Sequence, residues 1–325
     1  MSRKINHLIE FLNKNYKVGK NDDCTNTSMS NGKWNIPQQD YPVFLSEYCK
    51  YIKTQTSQDD IHLIERHNEY SPIIIDLDFR FGKDEIKRKY KKSQIKSLIN
   101  IYQQQIVKDL DIEPVAFVFE REEPYISRGI VKDGVHIMFP FVITKPEYQH
   151  YLRDKVLEKC DEIIEEINCT NDKKDIIDKS VIYSNGWFMY GSCKPGQKPY
   201  KLTIIYGNNV VEINKEDFSG FDETKLPSIL SIRNKLEPTQ FKREVNLENY
   251  DKSRGYIKRK HINKNISKVN LEDLHTVEKL INILDVKRAD NYDYWIKLGM
   301  CLHNIDSKLL YNWIEFSKKS SKFDS

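Results

Sequence analysis

Ser71-Pro-Ile-Ile-Ile-Asp-Leu-Asp-Phe-Arg80 decides how the rest of the chain is read. A proline followed by three isoleucines suits a strand buried on both faces. Side chains alternate along a strand, so Asp76 and Asp78 share one face while Leu77 points to the other. Two carboxylates placed in this way repel each other unless something positive stands between them. A divalent cation is the simplest candidate, because Mg²⁺ is typically held by one or two carboxylates together with substrate phosphates. An Asp-x-Asp in a solvated turn is the competing reading of the same residues.

Outward from this stretch the periodicity switches between helix and strand. Upstream, apolar residues at positions 5, 8, 9 and 12 predict a helix over 3–14. Residues 20–40 are rich in Asn, Ser, Asp, Gly and Gln and read as a loop. Phe44–Ile52 reads as a short helix, and Ile61–His67 as a strand beside Ile73–Phe79. Downstream, 84–109 reads as one long amphipathic helix with a very basic first half, and Val115–Glu120 and Gly129–Pro140 as strands. Pro146–Ile167 is predicted helical, and Trp187–Tyr190 and Lys201–Tyr206 a strand pair. A tight turn at Gly207-Asn-Asn then precedes Val210–Ile213. Strands and helices mix without strict alternation, which predicts an α/β (α+β) sheet with helices packed on it. No Gly-x-Gly-x-x-Gly or P-loop pattern occurs, so the common nucleotide cradles are excluded.

The chain has 325 residues, 39% hydrophobic and 31% charged, enough for one large or two moderate domains. It holds no apolar run of about 18 residues, so no membrane association is expected. Its N-terminus lacks the apolar core of a signal peptide, and an intracellular protein is the expectation. None of the six cysteines forms a Cys-x-x-Cys pair, which argues against both a zinc site and a disulfide framework. Residues 231–268 carry 11 Lys/Arg against 4 Asp/Glu and account for the whole basic excess of the chain. This segment reads either as a solvated linker or as a phosphate-contacting arm. It separates a first domain, 1–230, from a helical module, 269–325, with candidate helices at Leu271–Leu284, Tyr292–His303 and Lys308–Ser317. The sequence stops at Lys-Phe-Asp-Ser325 without a closing element, which suggests a boundary inside a longer protein.

Three further features join the Asp pair. His136 lies in Lys132-Asp-Gly-Val-His-Ile-Met-Phe-Pro140 and shares a strand face with Lys132 if no bulge intervenes. Asp178 opens Asp-Lys-Ser-Val-Ile-Tyr183. Tyr190-Gly-Ser-Cys-Lys194 is a turn of small residues ending in a lysine. Singly, a strand histidine such as His136 is more often structural, and Lys194 reads as a solvated lysine. Together they have one chemical sense. Three carboxylates can hold two divalent ions that clamp an in-line phosphoryl transfer, and a His with two Lys can neutralise a triphosphate. Cys193 has no base beside it in sequence and reads as a small residue of the turn.

The ordered set resembles the archaeo-eukaryotic primase superfamily over roughly residues 60–215. In that pattern a strand carries Asp-x-Asp, a second strand carries a small residue two before a His, and an Asp opens a Val-Tyr segment ending in a Ser-x-Lys turn. Here these are Asp76/Asp78, Gly134-Val-His136, and Asp178 running on to Ser192-Cys-Lys194. Arg288–His303 and Trp313–Asp324 resemble the primase C-terminal module of giant-virus and poxvirus-type primase–helicases.

The resemblance implies a catalytic core with an RNA-recognition-motif-like sheet and an N-terminal α/β unit beside it. It implies a DNA primase working with Mg²⁺ or Mn²⁺, on a single-stranded DNA template and nucleoside triphosphates, joined to a superfamily 3 helicase. Asp76, Asp78 and Asp178 are the implied catalytic metal ligands. Lys132, His136, Ser192 and Lys194 are the implied nucleotide contacts. Gly134 stands where a Ser is commoner, and Phe188 where some relatives have an Arg, so one triphosphate contact is left to Arg80, Arg121 or Arg128. Two other functions compete. A metal-dependent glycosyltransferase explains Asp76 and Asp78 but leaves His136, Asp178 and Lys194 without a joint role. A silent DNA-binding or helicase-docking module explains the basic segment without chemistry.

Overall fold

The computed structural model describes residues 7–30, 32–54, 62–82, 86–215, 225–233, 237–251, 271–306 and 309–323. Residues 1–256 form one compact unit and 257–325 another. In the first unit the strands are β1 (Asn26–Ser28), β2 (Gly32–Trp34), β3 (Leu63–Glu65), β4 (Ser71–Phe81) and β5 (Ala116–Glu120), then β6 (Tyr125–Ser127), β7 (Ile130–Thr144), β8 (Trp187–Phe188), β9 (Lys201–Tyr206) and β10 (Glu212–Ile213). Its helices are α1 (His7–Asn15), α2 (Tyr41–Thr54), α3 (Lys92–Asp109), α4 (Pro146–Leu157) and α5 (Asp161–Ile167), then α6 (Lys173–Ile176), α7 (Leu226–Ile229) and α8 (Glu248–Asp251). The second unit contains α9 (Leu271–Asn282), α10 (Lys287–Asp290), α11 (Tyr292–Ile305) and α12 (Leu310–Ser317).

The larger sheet is antiparallel in the order β10-β9-β5-β7-β4, with β6 paired to β7. The succession β4–α3–β5–β7–α4–β9 runs strand–helix–strand twice over, with β5 and β7 central. Period-2 alternation sorts each strand between two faces. Ile73, Ile75, Leu77 and Phe79 of β4 and Val135, Ile137 and Phe139 of β7 pack against Leu98, Ile99, Tyr102 and Ile106 of α3 and Tyr148 and Leu152 of α4. The other face carries Ile74, Phe117, Met138, Leu202 and Ile205, covered by Val181, Trp187, Leu226 and Leu230. The acids of β4 open on this second face.

The smaller sheet is four-stranded, in the order β2-β1-β3-β8. Its own core joins Leu8 and Leu12 of α1, Phe44, Leu45 and Tyr48 of α2, and Trp34, Leu63 and Met189.

Four expectations are corrected here. Residues 20–40 contain two short strands, which their polar composition conceals. The strand at Leu63–Glu65 pairs with β1 and β8 in the smaller sheet and does not lie beside β4. Trp187–Phe188 and Lys201–Tyr206 are not a pair, since each belongs to a different sheet. The long helix begins at Lys92, because Arg88 and Tyr90 are drawn back onto the sheet by Asp133 and Glu120. The basic stretch 87–91 is therefore not helical.

The first unit continues beyond residue 230, where the charge run begins. Ile232 N–H and Ser231 Oγ–H donate to the buried Glu65, and residues 237–251 lie along α3 and α4. Residues 234–236 and 252–268 of the basic segment fall outside the described residues. In the second unit, Ile281, Ala289, Leu302, Leu309 and Phe316 form a small core, and Trp295 stacks on Trp313 at 4.7 Å.

Candidate active site

The register of β4 against β7 builds the floor of the site. Asp76 lies opposite His136, Asp78 opposite Gly134, and Arg80 opposite Lys132. The register slips only at Pro72/Ile73, opposite the stretch containing Pro140, so the acids and their partners stay in phase. Asp76, Asp78, Lys132 and His136 thus share one face, as the alternation predicts.

Asp178 reaches this floor through the edge of β4. The segment 170–178 caps that edge: Asn171 Nδ2 donates to Asp78 O (2.8 Å), Arg80 N to Asn171 Oδ1 (3.0 Å), and Asp178 N to Asp76 O (3.0 Å). The side chain of Asp178 then opens a 3₁₀ turn at Lys179–Ile182, accepting from Ser180 N (2.8 Å) and Ser180 Oγ (2.6 Å).

The Lys194 turn is pinned to the smaller sheet. Met189 N donates to Leu63 O, Leu63 N to Ser192 Oγ (3.0 Å), and Tyr48 OH to Tyr190 O (3.0 Å). His62 Nδ1 meets Cys193 O at 2.6 Å. Gly191 turns the chain at φ +87°, a conformation that favours glycine. Ser192 therefore spends its hydroxyl on Tyr48 and β3, and Cys193 sits buried in the turn with its Sγ on Gln197 O. Lys194 remains exposed at the rim.

Between the two sheets lies a cleft of about 450 Å³. Asp76, Asp78, Asp178, Lys132, His136, Ser192 and Lys194 all line it. Arg66, Arg121, Phe188 and Tyr200 line it too; Arg80 and Arg128 do not. Arg80 is folded onto Asp78, with its Nη2 at 3.2 Å from Oδ2, and Lys132 Nζ stands 3.8 Å from the same oxygen.

Electrostatics set the protonation of the floor. Burial, then the like charges of Asp78 and Asp178, push the Asp76 carboxyl up to about 7, while Lys194 and Arg121 pull against them. Burial, then Arg121 and Lys194, hold the His136 imidazole down at about 3. His136 is therefore neutral, and its 3.5 Å approach to Asp76 is a polar contact, not an ion pair. Among the described residues no group of three His, Cys, Asp or Glu side chains is drawn together into a ready metal cage. Both Asp178 oxygens are occupied by Ser180 instead.

Two residues that motif reading did not assign complete the cleft. Tyr200 stacks on the His136 ring at 3.7 Å and 16°, and Trp187 closes on the same ring at 4.5 Å. Arg121, which sequence reading names only as one of three substitutes, lies 4.4 Å over the Tyr200 ring and 4.9 Å over that of Tyr125. Strand pairing explains the meeting: Glu120 faces both Val135 of β7 and Lys201 of β9, so its neighbour Arg121 and the residue before Lys201 converge beside Gly134. No sequence spacing shows that convergence.

A carboxylate pair on one strand, a third acid on its edge, a histidine and converging cations thus line one cleft of an α/β scaffold. Residues 25–206 match the family described as "C962R protein N-terminal AEP domain", and residues 277–325 match "Primase C terminal 2 (PriCT-2)". The chain belongs to the archaeo-eukaryotic primase superfamily. It is 33% identical to a protein of Acanthamoeba polyphaga mimivirus named as a putative helicase, over 90% of this chain and 34% of that protein. Proteins of Invertebrate iridescent virus 6 and Invertebrate iridescent virus 3, also named as putative helicases, are each 24% identical over 94% and 90% of this chain and 36% and 35% of their own lengths. The chain spans about a third of the length of these relatives. Among the described residues no helix is long and apolar enough to cross a membrane.

Proposed function

We propose that this cleft is the nucleotidyl-transfer site of a DNA primase, which joins nucleoside triphosphates on a single-stranded DNA template. One observation carries the reading: the β4/β7 register sets Asp76 against His136 and Asp78 against Gly134, in the cleft that Asp178 and Lys194 also line. A glycosyltransferase needs the Asp pair alone and gives the other groups no work.

The donor set fits hard divalent ions. Asp76 and Asp78 offer carboxylate oxygens from one strand face, and their mutual repulsion, which raises Asp76, is what a bound cation relieves. When bound, Mg²⁺ or Mn²⁺ supplies charge neutralisation and polarises a phosphoryl oxygen. Asp178 joins the set by giving up its Ser180 Oγ contact. Lys132, Lys194 and Arg121 supply positive charge for the triphosphate, and neutral His136 offers a fixed imidazole without adding charge. Ser192 holds the Lys194 turn in place. Arg80 holds Asp78. In the reaction a 3′-hydroxyl oxygen bonds to the α-phosphorus, the bond to the β-phosphate oxygen breaks, and pyrophosphate leaves. The protein contributes position and electrostatics and forms no covalent intermediate. The relatives' names support the further reading that this region works in one chain with a helicase.

The test is primer synthesis on single-stranded DNA with labelled nucleotides and Mg²⁺ or Mn²⁺, wild type against Asp76→Ala, repeated with a pre-annealed primer. Short products or extension by the wild type, reduced at least 100-fold in the variant, are expected. DNA binding that ignores both metal and the substitution, with no synthesis and no extension, would leave only the silent binding module.

A further inference from the structure

Tyr200 belongs to no motif of the sequence, yet it occupies the centre of the floor. Residues 132, 134 and 136 of β7 face the cleft, so a side chain on residue 134 would project between Lys132 and His136, across from Asp78. Residue 134 is glycine. A Cβ built there would stand 2.8 Å from the Tyr200 hydroxyl oxygen and 2.8 Å from Leu77 O. The phenol oxygen thus takes up the space that a side chain at position 134 would fill. The ring of Tyr200 carries His136 at 3.7 Å, and that stacking leaves its other face for the Arg121 guanidinium at 4.4 Å.

The geometry points to Tyr200 as a nucleotide-binding residue, whose hydroxyl donates a hydrogen bond to the triphosphate while its ring holds His136 and Arg121 in one column. The inference rests on the nucleotide-site reading above. A phenol suits this place better than a further cation. The cleft is already lined by Lys132, Lys194 and Arg121, and a neutral donor adds a bond to an anion without adding repulsion among them. A phenol keeps its proton at neutral pH, so the group is available as a donor. The ring serves a second purpose. Tyr200 stacked at 16° and Trp187 tilted at 40° against the same ring hold His136, and the cation over Tyr200 is held by the ring's negative face. The same arrangement accounts for glycine at 134. A serine there would compete with the phenol for one position, so this site carries its hydroxyl on the residue preceding β9 and not on β7.

The test compares wild type, Tyr200→Phe and Tyr200→Ala in calorimetric titrations with Mg²⁺·ATP and Mg²⁺·dATP. Thermal melting and Mn²⁺ binding without nucleotide serve as controls. Tyr200→Phe keeps the stack and removes only the donor. It is expected to weaken nucleotide binding about 10- to 150-fold, the effect of one hydrogen bond to a charged group, with melting and Mn²⁺ binding unchanged. Tyr200→Ala is expected to weaken binding further, since His136 and Arg121 lose their support. Equal nucleotide affinity in wild type and Tyr200→Phe overturns the assignment of Tyr200 and leaves the site reading standing. A wild type that binds neither nucleotide overturns the site reading, and the Tyr200 assignment with it.

Discussion

Gly134 is the residue on which the site's packing turns. Its missing side chain lets β4 and the Tyr200 hydroxyl close in from two directions. Gly134→Ala forces a methyl group within contact of the Leu77 carbonyl, a backbone atom that cannot rotate away. The expected cost is about 1–3 kcal/mol of stability, read as a lower urea midpoint with an unchanged slope. A second residue-scale prediction concerns pH. Burial holds His67 at about 4 and His136 at about 3, both below the usual 6.5. Each binds its proton more readily unfolded than folded. Their contribution is complete above about 6.5 and is lost as pH falls toward 4 and then 3. The two histidines therefore pull the melting temperature down across that window, while Asp76, held up at about 7, opposes them as it takes up its proton. His67→Gln is expected to make the acid-side loss smaller than in wild type. Asp76, Asp78, Lys132, His136, Asp178 and Lys194 were legible in the sequence because strand alternation and motif order constrain them locally. Tyr200 was not, because its place depends on β9 lying beside β5, a pairing between residues far apart in the chain.

Elements were legible where a long apolar period ran uninterrupted, as in β4, β5 and β7, in all of α3 and in most of α2. They were obscured where polar strands gained their stability from neighbours. Asn26-Thr-Ser28 and Gly32-Lys-Trp34 have no alternation to read, yet Trp34 is fully buried and Asn26 is held by Tyr41. The start of α3 was misplaced for a related reason. Arg88 has helical company in sequence, but Asp133 is completely buried on the helix-facing side of β7 and requires a cation. Arg88 Nε reaches Asp133 Oδ2 at 3.0 Å, and its Nη2 donates to Arg121 O at 2.5 Å, so a tertiary demand overrides local propensity. Arg88→Ala leaves Asp133 uncompensated and is expected to destabilise the fold by about 3–5 kcal/mol in urea unfolding. Asp133→Asn in the same chain should return most of that loss, because a neutral amide needs no counter-charge. A double variant as unstable as the single one would show that the guanidinium acts through its backbone bond to Arg121 instead.

At the scale of the molecule, the charge run at 231–268 looked uniform in sequence, but its described first part is fastened to the first unit. Thr239 N donates to Ile143 O and Ile143 N to Thr239 Oγ1, both at 2.9 Å. Lys242 N donates to Asp109 O at 3.0 Å, and Arg243 Nε to Asp109 Oδ1 at 2.7 Å. Phe241 stands edge-on to Tyr148 at 5.3 Å. Asp109 is fully buried at the end of α3, so Arg243 neutralises a charge that the interior cannot hold alone. Composition could not reveal this, since an exposed lysine and a buried carboxylate's partner contribute equally to a charge count. A fragment of residues 1–256 is therefore expected to fold and to bind Mg²⁺·nucleotide as the full chain does. A fragment of 1–236 loses the partner of Asp109 and the cover over α3 and α4. A loss of about 3 kcal/mol in a unit of this size corresponds to a melting temperature lower by about 6–12 °C. Arg243→Ala in the longer fragment should reproduce much of that drop, and Asp109→Asn should relieve it. Equal melting of the two fragments would mean that 237–251 rests on the first unit without holding it together.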